Sequence, residues 1–353
     1  MADNIIVPVA ECPAVKGNKR SIIYDLSRNN FKFIPNDLFF LLNKYSYKSI
    51  NDIKKDYPKE NHEIINEYLK VLLDNEYIFF CDKDETKFFP KIDFQFKKPN
   101  KISNAIICIS KHTFNSVQKI IRQLEDLNCK YIQLIFYDFL NLENINKILS
   151  YFDKSIINAI DLYFSICTLS VEAILNTVKS NLRIRSFVIF NSTENKIITP
   201  KNKKNGIIAY NSSDITLNEL DLIVNIKNYF NVNIELFSEA QKYNTYYNKK
   251  ISIDYYGNIK NCISNEKNFG NISNNKFSNI IENKDFNYLW DINKDNIEIC
   301  KDCEFRYMCI DPRIPEKITK NSWKCKLECK YNPYIAKWEG EEGYIPVNNC
   351  VSN

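Results

Sequence analysis

Apolar and polar positions along residues 1–82 predict a small module of strands and helices. Residues 20–26 and 30–34 are strand-like apolar runs separated by a short polar turn. The sequence PND at 35–37 then marks the start of a helix. Apolar residues at helical spacing predict a further helix over 61–75, and the run YIFFC closes the module as a strand. This order is typical of a winged-helix-like module.

Residues 102–236, which follow a charged linker at 83–101, alternate continuous apolar runs with amphipathic stretches. The predicted strands lie at 105–109, 131–136, 159–164, 184–190, 206–210 and 232–236. The predicted helices lie around 117–127, 142–152, 171–178 and 217–229. Apolar strands separated by amphipathic helices predict a parallel sheet covered on both faces. We therefore expect an α/β fold, with this segment forming a partial (β/α) barrel or an open α/β sheet.

Residues 237–353 differ from the rest of the chain, because long periodic helices are rare there and cysteines are frequent. Seven of the twelve cysteines lie in this segment. A region with so little apolar periodicity needs another source of stability, and a bound metal centre can supply about 10 kcal/mol of folding free energy. The third segment is therefore predicted to be a cysteine-rich metal-binding domain.

Composition excludes several other classes of protein. The net charge of +5 comes with Lys, Asn and Ile spread throughout the chain, and no basic stripe indicates nucleic-acid binding. No apolar run reaches the roughly 18 residues of a membrane span, and the first residues lack the features of a secretory signal. We expect a cytoplasmic protein, where thiols stay reduced and disulfides are rare.

Cysteine is the side chain best placed for unusual chemistry. The six glycines are too few for the usual glycine-rich phosphate loops, and the two histidines disfavour a Ser–His–Asp site. Cys300, Cys303 and Cys309 form the pattern C-x2-C-x5-C. Thiolates bind metals, and a later cysteine would complete four ligands for a tetrahedral zinc ion or a cubane iron–sulfur cluster. The spacing alone leaves these two open.

The same region resembles the SPASM domain, the auxiliary-cluster domain of peptide-modifying radical SAM enzymes. Gly257 and Cys262 give the motif G-x4-C, followed by NFGNI at 268–272 and then the three-cysteine run. The family pattern has a further cysteine where this chain has Arg313, and one before the G-x4-C motif that this chain lacks. These departures affect one of the two clusters that the family normally builds.

The resemblance implies one 4Fe–4S cluster, with zinc as the alternative metal. Its ligands would be Cys300, Cys303, Cys309 and Cys329. Cys325 is the alternative to Cys329 as the fourth ligand. The possible additional ligands are Cys262, Cys325 and Cys350.

Other stretches resemble the grasp-with-spasm peptide maturases, which are encoded beside an ATP-grasp ligase and a small precursor peptide. They are ECKYNPYIAKW at 328–338 and KRSIIYDL at 19–26. A radical SAM enzyme of this family needs C-x3-C-x2-C after its first barrel strand, but the residues after 105–109 contain no cysteine there. SAM is therefore not an expected cofactor, and whether the chain is itself an enzyme is left open.

The N-terminal module resembles the leader-recognition element of ribosomal peptide pathways, which captures a leader as an added strand. The resemblance implies a peptide site at Phe31, Lys32, Phe33 and Ile34, beside the exposed side of the helix at 61–75. The alternative is a module that only packs against the barrel.

The expected function is therefore maturation of a ribosomally synthesised peptide, as a scaffold that binds the precursor leader and works with an ATP-grasp ligase. We expect neither nucleic acid nor a membrane as a partner. Two alternatives are an iron–sulfur redox enzyme that modifies the peptide itself and a zinc-stapled structural protein.

Overall fold

The computed structural model describes residues 4–138, 141–165, 167–200, 202, 204–213 and 230–347. The chain divides into two compact units. The first unit comprises Met1–Phe96, Ile226–Thr245 and Ile292–Asn353, and the second comprises Lys97–Asn225 and Tyr246–Asp291. The cysteine-rich segment predicted at 237–353 is thus divided between them. The helix predicted around 217–229 lies outside the described residues.

The strands and helices are numbered in chain order. The strands are β1 Ile5–Pro8, β2 Ala14–Lys16, β3 Ser21–Asp25, β4 Asn30–Ile34, β5 Ile78–Cys81, β6 Asn104–Ile109, β7 Tyr131–Phe136, β8 Ala159–Phe164, β9 Ile184–Ile189, β10 Lys196–Ile198, β11 Ile207–Tyr210, β12 Lys250–Ile253, β13 Ile259–Lys260, β14 Pro315–Thr319, β15 Ser322–Cys325, β16 Tyr331–Asn332 and β17 Lys337–Trp338. The helices are α1 Asn36–Tyr45, α2 Ile50–Asp56, α3 His62–Asp74, α4 Val117–Asp126, α5 Leu142–Ser150, α6 Val171–Ser180, α7 Ile234–Ala240, α8 Phe277–Ile280 and α9 Lys284–Asn287. Across the described ranges, every helix is too short or too polar to cross a membrane.

The second unit contains an eight-stranded sheet in the order β10-β11-β9-β8-β7-β6-β12-β13. The strands from β11 to β12 run parallel to their neighbours, while β10 and β13 pair antiparallel at the two ends. The prediction of an α/β fold with a parallel sheet is therefore confirmed.

The sheet is parallel because its strands are apolar on both faces and the helices between them are apolar on one. Ile107, Cys108 and Ile109 are successive residues of β6 and are fully buried, as expected for a strand covered on both sides. In α4 the buried residues Val117 and Ile121 lie four positions apart on one helix face. Cys108 is therefore a core residue.

Two features of this region differ from the sequence prediction. The strand predicted at 232–236 is wrong, because α7 begins at Ile234 and Asn233 accepts a hydrogen bond from the backbone N–H of Leu236 at 2.8 Å. An asparagine at this position caps a helix, and the β-branched residues around it masked that signal. Besides β7, the strand β6 has the parallel neighbour β12, which was not predicted and lies in the segment predicted to be cysteine-rich.

The first unit contains the antiparallel sheet β2-β3-β4, the antiparallel pair β1-β5 and helices α1 to α3. The strands predicted at 20–26 and 30–34 are confirmed as the hairpin β3-β4. Their apolar residues and one face of each helix form a common core, which includes Ile23, Leu38 and Leu69. The strands β1 and β2 were not predicted. In the described part of the unit β4 pairs only with β3, so its second edge is open.

Candidate metal centre

The cysteine run begins on a tight turn. Cys300–Asp302 form a single turn of 3-10 helix, and the N–H of Cys303 donates to the carbonyl oxygen of Cys300 at 3.1 Å. The preceding Ile299 has a φ of +71°, which is uncommon for a β-branched residue and costs conformational energy. The surrounding structure therefore holds a strained residue immediately before the first cysteine of the run.

Three thiols line one small cavity of about 70 Å³. They are those of Cys300, Cys325 and Cys329, and Arg313 lines the same cavity. Both cysteines proposed for the fourth ligand position therefore lie beside Cys300. Within the described residues, no three or more His, Cys, Asp or Glu side chains form a group that could hold a metal ion.

The thiols of the run interact electrostatically with Cys329. Burial raises the pKa of Cys300 to about 11, and the negative charge of Cys329 adds to this increase. Burial also raises the pKa of Cys303 and of Cys309, again with a contribution from the negative charge of Cys329. Because metal-bound cysteines are thiolates, loading this site would release protons and would be favoured by higher pH.

Two cations lie among these thiols. Arg313 donates to Asp311 at 2.6 Å, and the pair is almost completely buried. Arg313 also donates to the carbonyl oxygen of Leu327 at 2.8 Å. Lys294 is 4 % exposed, and its Nζ has no hydrogen-bond partner among the residues that the structure describes.

No set of three ligands is preassembled among the described residues, but the charges around the cysteines suit an anionic centre bound by thiolates. Burial alone would lower the pKa of Lys294, but Cys309, Asp311, Cys300 and Cys325 together raise it. A buried ammonium with no hydrogen-bond acceptor is costly, whereas a thiolate-bound cluster or zinc ion carries negative charge that compensates it. Lys294 was missed by the sequence analysis, since a lone lysine in a lysine-rich chain gives no signal.

Two further candidate ligands were Cys262 and Cys350. Cys262 belongs to the second unit and is fully buried, with its Sγ 3.4 Å from the Ser264 hydroxyl. Cys350 lies outside the described residues. The described cysteines form no disulfide.

The four residues predicted to bind peptide divide between the two faces of β4. Phe31 and Phe33 contact the ring of Phe305, at centroid distances of 6.1 and 5.7 Å. On the other side, Ile34 is buried in the core of the helices, and Lys32 donates to Asn75 at 2.9 Å. Only the aromatic pair therefore faces the cysteine run.

An aromatic cavity of about 540 Å³ lies against this face of β4. Its lining includes Phe31, Phe33, Phe305 and Trp338, with Arg20 and Glu341 as its charged residues. Phe33 is 40 % exposed, and the Arg20 guanidinium stacks 3.4 Å from the centre of its ring. Phe31, Phe305 and Trp338 also belong to an apolar cluster that includes Cys303 and Cys329.

Glu304 joins the cysteine run to the strands of the N-terminal module. Its side chain is fully buried, and its Oε1 accepts hydrogen bonds from Arg20 Nε at 2.8 Å and from the Tyr331 hydroxyl at 2.6 Å. Its carbonyl oxygen accepts from the hydroxyl of Tyr24, a residue of β3, at 2.8 Å. The sequence analysis missed Glu304, because charged residues are frequent around it and its partners in the N-terminal module are nearly 300 positions away.

The loop after β6 carries polar residues where a SAM-binding enzyme would carry its cluster cysteines. Ser110 donates to the carbonyl oxygen of Tyr255 at 2.6 Å, and the N–H of Lys111 donates to Asp138 at 2.7 Å. Asp138 in turn accepts from the Tyr255 hydroxyl at 3.0 Å. His112 is exposed and contacts the Tyr255 and Tyr256 rings.

Comparison with known families supports the metal centre. Residues 245–304 match the SPASM family model, which describes an iron-sulfur cluster-binding domain. The matched range includes Cys262, Cys300 and Cys303 and ends before Cys309. No curated protein matches the chain. The resemblance predicted from the G-x4-C motif and the cysteine run is thus confirmed at the level of the domain: residues 245–304 are similar to an iron–sulfur cluster-binding domain.

Proposed function

We propose that this protein is an iron–sulfur protein that takes part in the maturation of a ribosomally synthesised peptide. It binds the leader of the precursor at β4 and works with an ATP-grasp ligase, which forms the new bond. The observation that carries the proposal is the open edge of β4, which lies beside an aromatic cavity. Phe305, a residue of the cysteine run, lines that cavity.

The cofactor of the proposal is one 4Fe–4S cluster bound by Cys300, Cys303, Cys309 and Cys329. Support comes from the iron–sulfur domain match and from the contribution of Cys329 to the raised pKa of each of the other three thiols. A cluster held by four thiolates supplies structural stability and can exchange an electron. If each iron were bound by one of these four thiolates, no position would be open to substrate, and the chain would act as a scaffold.

The proposed leader site uses the backbone and the side chains of β4 together. An extended peptide pairing with the open edge gains main-chain hydrogen bonds, while pockets for alternate side chains give specificity. The aromatic cavity beside Phe33 suits one bulky apolar side chain of the leader. On α3, Ile64 and Val71 are more than two-fifths exposed and offer a second apolar surface.

Metal analysis tests the cofactor. The full chain is purified anaerobically, and iron, acid-labile sulfide and zinc are quantified per chain. We expect four irons and four sulfides for the single cubane cluster. One zinc per chain without iron would instead support the zinc-stapled structural protein, and an iron–sulfur centre with an open iron would favour a redox enzyme.

Peptide binding tests the leader site. The fluorescently labelled precursor peptide encoded beside the gene is titrated with the full-length, cluster-loaded protein. We expect Phe33→Ala to weaken binding about tenfold, because fully burying a large apolar side chain is worth about 1.5–3 kcal/mol. Phe88→Ala is the matched control, since Phe88 is an exposed aromatic residue that does not line the cavity. Equal affinities of the wild type and Phe33→Ala would contradict the proposed site.

A further inference from the structure

Lys294 is a buried cation whose ammonium makes no hydrogen bond within the described residues. It begins a short 3-10 turn, Lys294–Asn296, and the neighbouring Asn293 anchors that turn by donating to the carbonyl oxygen of Gln241 at 2.9 Å. The ammonium has three N–H donors, yet within the described part of the chain its Nζ meets no acceptor.

The charges around Lys294 come from the cysteine site. Cys309, Cys300 and Cys325 act on the lysine, together with Asp311. Asp311 is already bound by Arg313 through both of its carboxylate oxygens. Arg313 already donates to Asp311 and to the carbonyl oxygen of Leu327, whereas the Lys294 ammonium has no acceptor among the residues that the structure describes.

We propose that Lys294 is a positioning residue for the cluster, donating a hydrogen bond to a cluster sulfide or cysteine sulfur and compensating the negative charge of the centre. This inference rests on the proposed function, because it requires an iron–sulfur cluster. Hydrogen bonds to sulfur and nearby charge are among the main determinants of the potential of such clusters. A fixed positive charge favours the reduced cluster, which is more negative by one unit, and therefore raises the reduction potential.

The test measures the reduction potential of the cluster in the full-length protein. Dithionite supplies one electron to each cluster, no bond is made or broken, and the visible absorbance reports the reduced fraction at each applied potential. Lys294→Met removes the charge but keeps the length of the side chain. Lys294→Arg keeps the charge. Lys301→Met is the matched control, since Lys301 is exposed and lies next to Cys300 in the same run.

We expect Lys294→Met to disfavour reduction at least tenfold, which for one electron is a shift of about 59 mV to more negative potential. Lys294→Arg and Lys301→Met should remain near the wild type. If Lys294→Met retains no cluster while Lys294→Arg does, the charge is needed to hold the cluster, which also supports the proposal.

An unchanged potential in Lys294→Met, or loss of the cluster from both Lys294 variants, would overturn the inference. Wild-type protein without iron would instead overturn the proposed cofactor, and the metal analysis detects that outcome before any variant is made.

Discussion

Cys303 occupies the second position of the C-x2-C pair, at the end of the turn that starts at Cys300. If it binds the cluster, Cys303→Ser should yield protein without iron or visible absorbance, because the hydroxyl is a poor substitute for a thiolate ligand. Cys167→Ser is the control, as Cys167 lies in the second unit and was not predicted to bind metal. The same iron content in both variants would remove Cys303 from the ligand set.

The fourth ligand is a choice between Cys325 and Cys329, which line the same small cavity. Cys329 lies in the same apolar cluster as Cys303, and its negative charge contributes to the raised pKa of Cys300, Cys303 and Cys309, which favours it as the ligand. We expect Cys329→Ser to lose the cluster and Cys325→Ser to keep it, as measured by iron content. The reverse pattern would exchange their roles.

Glu304 is expected to stabilise the first unit through its charged hydrogen bonds with Arg20 and Tyr331. Hydrogen bonds to charged groups contribute about 1.5–3 kcal/mol, so Glu304→Gln should lower the free energy of unfolding by about 2 kcal/mol in urea denaturation. Lys330→Met, which removes an exposed ion pair with Glu339, should change it by less than about 0.5 kcal/mol. An equal effect of both substitutions would show that the buried carboxylate has no special role.

At the scale of elements, the sequence predicted best where local periodicity and tertiary environment agree. The strands at Tyr131–Phe136 and Ala159–Phe164 coincide with the predicted ranges, because continuous apolar runs have few alternatives to a buried parallel strand. The strand at Lys250–Ile253 was missed because its sequence alternates polar and apolar residues and does not look like a buried strand. All four residues are nevertheless buried in the structure, where the strand pairs with β6.

In the candidate site, too, the residues that form a local pattern could be predicted and the others could not. The spacing of Cys300, Cys303 and Cys309 is local, so the metal-binding run could be recognised from the sequence. Lys294 and Glu304 could not be, because their importance depends on burial and on partners that the fold alone brings near. Phe31 and Phe33 were predicted to lie on an edge strand. The aromatic cavity that they line was not predicted.

The ends of β6 and β7 give a prediction about SAM. The loop after β6 holds Ser110, Lys111 and His112, and β7 is followed by Asp138, with neither the three cluster cysteines nor a glycine turn in the sequence. We expect no 5′-deoxyadenosine when reconstituted, dithionite-reduced protein is incubated with SAM, compared with a reaction lacking protein. Formation of 5′-deoxyadenosine above that blank, and its loss in Cys303→Ser, would instead show that the cluster of the run cleaves SAM.

At the scale of the whole molecule, the two units differ in how they are stabilised. The second unit has a large continuous apolar core built on its eight-stranded sheet. In the first unit, a smaller apolar cluster that includes Cys303 and Cys329 joins the N-terminal sheet to the cysteine run. The stability of the part of the first unit around the cysteine run, as distinct from the apolar core formed by α1 to α3, should therefore depend on the metal centre, because structural metal sites contribute directly to folding free energy.

Limited proteolysis of the full chain with and without its metal tests this difference. After removal of the metal by a chelator under reducing conditions, we expect rapid cleavage within 292–347, while fragments from 97–213 persist as they do in the loaded protein. The loaded protein incubated without chelator is the control, and mass spectrometry identifies the cut sites. Cleavage at equal rates in both units would show that the metal stabilises the whole chain. Unchanged resistance of 292–347 would show that the first unit folds without it.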